Sequence, residues 1–235
     1  MTKIFPELSK TEINSMNASI HFLKGSFRRL DRKKKEKVFI IGLHKTGTSS
    51  IGRAFERLGY RVCGSFKSYK KRYNHTINRA DLFNELKSEV KKFDCFQDTP
   101  WFIFYKEIFQ IYPDSKFILL IRSEKSWLKS IQNHFGKNTF AYHNWIYNKK
   151  NPIEDPSYYQ KFYKKHNQDI INYFANNSNF TVLKLEKDFN WPKLCNFLNV
   201  KCPSDNFPYV NKAKNRRHSF SVLTQIIKKF TKLMP

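Results

Sequence analysis

The run KVFIIGL at residues 37–43 most narrows the folds open to this chain. It is continuously apolar, rich in β-branched residues and ends at a glycine turn, as a strand buried on both faces of a parallel sheet does. Thr48 to Leu58 then has helical spacing, with Ile51, Phe55 and Leu58 on one face and Gly59 closing it. The same alternation continues. Tyr60–Cys63 reads as a second strand, 80–92 as a helix, DCFQD (94–98) as a third strand stopped by Pro100, and Trp101–Ile111 as a helix. KFILLIR (116–122) is the clearest buried strand after the first, followed by a helix over Glu124–His134 whose inner face is Trp127, Leu128 and Ile131. Ser157–Ala175 predicts a long helix, FTVLKL (180–185) a fifth strand, and WPKLCNFLNV a closing helix around Trp191, Leu194 and Leu198.

Alternating strands and helices predict an α/β fold: three α/β/α layers around a central parallel sheet of about five strands; the glycine loop at Gly42–Gly47 after the first strand makes it the P-loop nucleotide-binding type. The expected domain spans 37–211. Before it lies a polar, basic leader, 1–36, ending in FRRLDRKKKEK. After it comes a basic tail, 212–235, with Leu223, Ile226, Ile227, Phe230 and Leu233 at helical spacing. Such a tail docks on the core by default, with peripheral contact to an anionic membrane as the alternative. Residues 135–156 are irregular and aromatic, the expected lid or acceptor-side segment.

Lys and Arg outnumber Asp and Glu 44 to 19, a formal charge of +25. That field favours anionic partners. Lys, Asn, Phe, Tyr and Ile are all abundant, as AT-rich codons would also make them, so basicity alone does not specify nucleic acid. The four cysteines, Cys63, Cys95, Cys195 and Cys202, form no C-x-x-C pair or metal-ligand spacing. Cys63 and Cys95 sit in strand-like surroundings and read as buried thiols. The N-terminus lacks the pattern of a secretory signal, and no run approaches the roughly 18 apolar residues of a spanning helix. A soluble, cytoplasmic protein is the expectation.

The chemistry concentrates in GLHKTGTSS. A glycine turn leading into a helix N-terminus aims backbone N–H groups and the helix dipole at one point, an anion cradle. Lys45 adds a cation, and Thr46, Thr48 and Ser49 add hydroxyls. A triphosphate loop places lysine directly after its second glycine, but Thr48 follows Gly47 here. A triphosphate site also needs an acidic group for Mg²⁺ at a neighbouring strand end. KFILLIR ends in Arg122, which suits a phosphate held by a planar two-pronged contact. Both features count against a small-molecule kinase. Ser123 reads as a helix cap, and Ser130, eight residues after Arg122, lies a little over two helical turns on, within reach of the same ligand. Open α/β sheets bind ligands at that edge.

IGLHKTGTSS resembles the 5′-phosphosulfate loop of the sulfotransferases, and Arg122 with Ser130 resembles their R-x₇-S 3′-phosphate motif. FQDTPWFIFYKEIFQIYPDSKFILLIRSEKSWLKSI, KFYKKHNQDI, LKLEKDFNWPKLCNFLNV and FPYVN are similar to segments of a subfamily with D-x-P after its third strand, so the resemblance covers about Val38–Asn211. It implies 3′-phosphoadenosine 5′-phosphosulfate (PAPS) as sulfuryl donor, a hydroxyl-bearing acceptor (an acidic glycan or a small molecule), and no metal. Lys45 would neutralise charge on the departing phosphate; Thr46, Gly47, Thr48 and Ser49 would hold the 5′ end, and Arg122 with Ser130 the 3′-phosphate. Many cytosolic relatives place a basic histidine two residues before a proline; Asp98 of QDTP stands there and is the expected general base, with helix capping as its alternative. His44 shapes the loop or points to the acceptor, and His134 and His143 border the irregular segment. His166 and Asn167 lie on the long helix. Lys212, Arg216 and Arg217 are further candidate cations. A basic nucleic-acid-binding module, the remaining alternative, has no need of this ordered pattern and is disfavoured.

Overall fold

Five strands form one all-parallel sheet in the order β2-β3-β1-β4-β5. The computed structural model describes residues 36–65, 79–136, 145–148 and 151–210. In chain order the elements are β1 (Val38–Ile40), α1 (Thr48–Arg57), β2 (Val62–Cys63), α2 (Arg79–Lys92), β3 (Cys95–Phe96), a 3₁₀ turn (Trp101–Ile103), α3 (Tyr105–Ile111), β4 (Lys116–Ile121), α4 (Glu124–Phe135), α5 (Pro156–Tyr173), β5 (Phe180–Lys184) and α6 (Trp191–Leu198). β1 lies at the centre, with Val38 opposite Cys95 on one side and Lys116 on the other. The chain builds β2 and β3 to one side of β1, then β4 and β5 to the other. Strand order therefore reverses between β3 and β4, and the crevice outside the strand ends at such a point is where open sheets bind ligands.

Side chains alternate across β1. Phe39 and Ile41 enter one core, Val38 and Ile40 the other. The first core is strongly aromatic. Phe39 stacks on Phe96 with centroids 4.6 Å apart and on Phe117 at 5.4 Å, and Trp127 stacks on Tyr163 at 4.3 Å. The second joins Ile51, Ala54 and Phe55 of α1 to Leu194, Cys195 and Leu198 of α6. Cys63 and Cys95 are buried free thiols, and burial pushes the Cys63 thiol up to about 12.

Some expected elements change on folding. The helix over Trp101–Ile111 breaks at Phe104 into the 3₁₀ turn and α3. Trp101, Phe102 and Phe104 are all buried. The tighter turn eclipses positions i and i+3, which lets Trp101 and Phe104 enter the same core. The third strand is only Cys95–Phe96, because Asp98 leaves it with φ 72°. The described part of 135–156 is packed inward: Ile146 and Tyr147 are buried, and Tyr147 lies 4.9 Å from the Tyr159 ring. Asp155 caps α5, its carboxylate accepting from the Tyr158 N–H at 3.0 Å with Pro156 in the first turn. The leader through residue 35, the tail from 211, His143, Lys212, Arg216 and Arg217 lie outside the described residues. Among the described residues no helix is long and apolar enough to cross a membrane.

Candidate active site

The loop after β1 keeps its shape because two of its positions have no room for a side chain. A Cβ on Gly42 would lie 2.5 Å from the Leu120 carbonyl oxygen and 2.9 Å from its nitrogen, so β4 runs directly against the loop. Gly47 has φ 105°, and a Cβ there would meet the Phe189 ring at 2.6 Å. Gly47 is also the N-cap of α1, whose first turn carries no acidic residue, so no internal carboxylate occupies the helix's positive end. Between the glycines Lys45 takes φ 68°, a left-handed conformation that non-glycine residues seldom adopt.

Of the three expected hydroxyls, Thr46 turns inward. It is fully buried, and its Oγ1 donates to the Leu43 carbonyl at 2.7 Å, so it shapes the loop from within. Thr48 and Ser49 line the cleft with Lys45 and Gly47. Ser50, which sequence reasoning passed over, accepts the Val210 N–H at 2.9 Å and fastens residues 205–210 along α1.

Across the cleft lies the tip of β4. Arg122 Nε is buried and has no hydrogen-bond partner; the nearest carboxylate, Glu186, is 3.9 Å away. The Arg122 main chain is held from α5: its N–H donates to the Tyr163 hydroxyl at 2.7 Å, and that hydroxyl donates to its carbonyl at 2.8 Å. Ser123 occupies the N-cap position of α4, but its side chain makes no capping bond. Glu186, from just beyond β5, accepts the Ser123 N–H at 3.1 Å and so holds the main chain where α4 begins. Ser130 lines the cleft, as does Ser126, one helical turn before it and also unmarked by sequence reasoning.

Asp98 lies on the third side. Its Oδ1 accepts the Thr99 N–H at 2.7 Å and stands 3.3 Å from His44 Nε2. Its capping alternative fails for α3, whose N-cap is Phe104; Asp98 contributes only its carbonyl to the turn, accepting the Trp101 N–H at 3.1 Å. His44 is buried, with Phe102 and Phe135 edge-on at 5.2 and 5.7 Å. Its Nδ1 meets the Tyr147 hydroxyl at 2.7 Å and its Nε2 hydrogen-bonds Thr99 Oγ1. Trp127 Nε1 donates to the His44 carbonyl at 2.8 Å. His166 also serves the strand ends. Burial lowers its pKa to about 4, so the neutral ring donates from Nε2 to the Ile41 carbonyl at 3.1 Å.

Lys45, Thr48, Ser49, Asp98, Arg122 and Ser130 thus open onto one cleft of about 510 Å³, with His134 and Phe135 at its wall. That size suits a small-molecule ligand, and the orphaned Arg122 Nε suits an added anion. Among the described residues no group of three or more His, Cys, Asp or Glu side chains forms a candidate metal site.

A glycine loop at a helix N-terminus facing an arginine at the neighbouring strand tip is an arrangement suited to holding an anion. The chain belongs to the sulfotransferase domain family, whose model matches residues 37–154 and 139–216. Ava biosynthesis cluster protein M of Aspergillus versicolor is 24% identical over 214 residues, spanning 74% of this chain and 80% of that protein. The crystal structure of a sulfotransferase from Alicyclobacillus acidocaldarius superposes with a TM-score of 0.46 at 17% identity, covering 85% of this chain and 93% of the other.

Proposed function

We propose that this chain moves a sulfuryl group from PAPS to a hydroxyl acceptor, with Lys45 and Arg122 gripping opposite ends of the donor. The observation that carries this reading is that both cations border one cleft, where Arg122 Nε is buried without a hydrogen-bond partner. Adenosine carrying phosphates at both ends matches such a pair. Arg122 and Ser130 take the 3′-phosphate; the main chain at Gly47, with Thr48 and Ser49, holds the 5′ end at the start of α1.

When bound, PAPS supplies a sulfuryl group whose transfer leaves negative charge on the 5′-phosphate. Lys45 neutralises that charge, a preorganised contact whose loss typically costs ~10²–10³ in rate. Asp98 removes the proton from the acceptor hydroxyl as general base. Both ring nitrogens of His44 face protein groups, Tyr147 on one side and Thr99 with Asp98 on the other. This leaves the histidine to orient the Asp98 carboxylate and the carboxylate to meet the acceptor.

Thermal unfolding with adenosine 3′,5′-bisphosphate tests the reading. The expected result is a rise in melting temperature without added Mg²⁺ that Lys45→Ala or Arg122→Ala removes. Asp98→Asn should keep the rise while transfer from labelled PAPS, to an acceptor found by screening hydroxyl compounds, drops by about 10² or more. A protein stabilised only by ATP with Mg²⁺, and indifferent to the bisphosphate, would be a kinase and overturn the proposal.

A further inference from the structure

We propose that Tyr163 is a positioning residue that gives the cleft its selectivity for a 3′-phosphate, by fixing the main chain of Arg122. This rests on the donor reading above and extends it to a residue that does not touch the donor.

β4 pairs with β5 as far as Ile121 opposite Lys184, and the Ile121 carbonyl takes the Leu185 N–H at 2.9 Å. Arg122 lies one residue past that ladder, and buried main-chain polar groups need partners. Tyr163 supplies both: one hydroxyl accepts the Arg122 N–H and donates to the Arg122 carbonyl, at 2.7 and 2.8 Å. A phenol can do this only while it keeps its proton, and burial pushes its pKa up. Had the position served packing alone, phenylalanine would fill it without burying a hydroxyl. The oxygen is therefore the informative atom. With both main-chain groups of Arg122 bound to one oxygen, the guanidinium leaves the strand tip in a fixed direction.

The ring of Tyr163 extends the device toward the loop. It stacks on Trp127, centroids 4.3 Å apart and planes within 20°, and Trp127 Nε1 donates to the His44 carbonyl at 2.8 Å. His44 directly precedes Lys45. One continuous strut, Arg122 to Tyr163 to Trp127 to His44, thus joins the two anion-holding ends and sets the span between them. Tyr163 governs the arginine end and Trp127 the loop end.

That division of labour can be measured by binding alone. Affinities for adenosine 3′,5′-bisphosphate and adenosine 5′-monophosphate are determined by calorimetry on the full chain, and their ratio reports use of the 3′-phosphate. The wild type is expected to favour the bisphosphate strongly. Tyr163→Phe should lower the ratio about tenfold, the worth of one well-placed buried hydrogen bond, while affinity for the monophosphate holds. Trp127→Phe keeps a stacked ring but loses the bond to the loop; it should weaken both ligands by the same factor and keep the ratio. A Tyr163→Phe protein with the wild-type ratio, or with equal losses on both ligands, overturns the assignment. So does a Trp127→Phe protein whose ratio alone falls. A wild-type ratio near one has a different meaning: it sinks the donor reading itself and this inference with it.

Discussion

The loop at 42–50 and the tip of β4 at 121–123 both border the cleft, and both receive hydrogen bonds from distant residues, yet only the loop also depends on two positions packed too closely for a side chain. The loop is held by contact: at Gly42 and Gly47 the neighbouring strand and the Phe189 ring fill the space a side chain would need. The strand tip is held by borrowed polar atoms, Tyr163 from α5 on Arg122 and Glu186 from beyond β5 on Ser123. Contact of the first kind comes from Leu120 and Phe189, both distant in sequence, and tolerates almost no added side chain at the two glycines. Support of the second kind comes from 41 and 63 positions away, and can weaken one bond at a time without loss of the fold.

The sharpest division between the two regions should appear in kinetics. In the proposed reaction Lys45 acts on charge that develops during transfer, so Lys45→Ala is expected to lower kcat by ~10²–10³ at saturating donor. Arg122→Ala should instead raise the donor KM and leave most of kcat, since it grips the end that does not react. Equal losses of kcat in both variants would erase the distinction. A second, smaller contrast concerns stability. Gly42→Ala sets a methyl 2.5 Å from a backbone oxygen, and overpacking of this kind costs about 1–3 kcal/mol, a melting temperature several degrees lower. Arg122→Ala should melt close to wild type. A Gly42→Ala protein as stable as wild type would break the contact account of the loop.

The smallest effect tests the polar support. His166, which holds the Ile41 carbonyl, has its pKa lowered from 6.5 to about 4 by burial. At pH 7 it is neutral in the folded protein and mostly neutral in the unfolded chain. As pH falls through 6.5 the unfolded chain binds a proton that the folded chain refuses, so stability is lost progressively down to about pH 4 and no further below it. Between pH 7 and pH 6 this amounts to roughly 0.7 kcal/mol. Denaturant midpoints measured across that range should fall in the wild type and fall less in His166→Gln; parallel slopes would show that His166 does not titrate as described.

The same contrast explains what could be read in the sequence. The βα alternation, the buried strands β1 and β4, the loop glycines and the cations Lys45 and Arg122 all announce themselves through local spacing. Tyr163, Glu186, Ser126 and Ser50 do not, because a hydrogen bond between distant positions leaves no periodic trace. Local pattern also misdirects. Ser123 has the right chemistry for a cap and the right place, but its side chain makes no capping bond, and its own N–H is held by Glu186 from beyond β5. Thr46 sits among cleft hydroxyls in sequence yet turns its oxygen to Leu43, since position within a tight turn decides which way a side chain faces. Asp98 reads as the last residue of a strand, whereas its φ of 72° takes it out of the sheet.

That last torsion has a counterpart at Lys45, with φ 68°. Glycine would adopt either conformation with less strain. At these two points, the proposed phosphate-neutralising lysine and the proposed base, the chain keeps a side chain where its own backbone would be more comfortable without one. Variants chosen only for heat resistance should drift toward glycine there and arrive at a sturdier protein that has lost its chemistry.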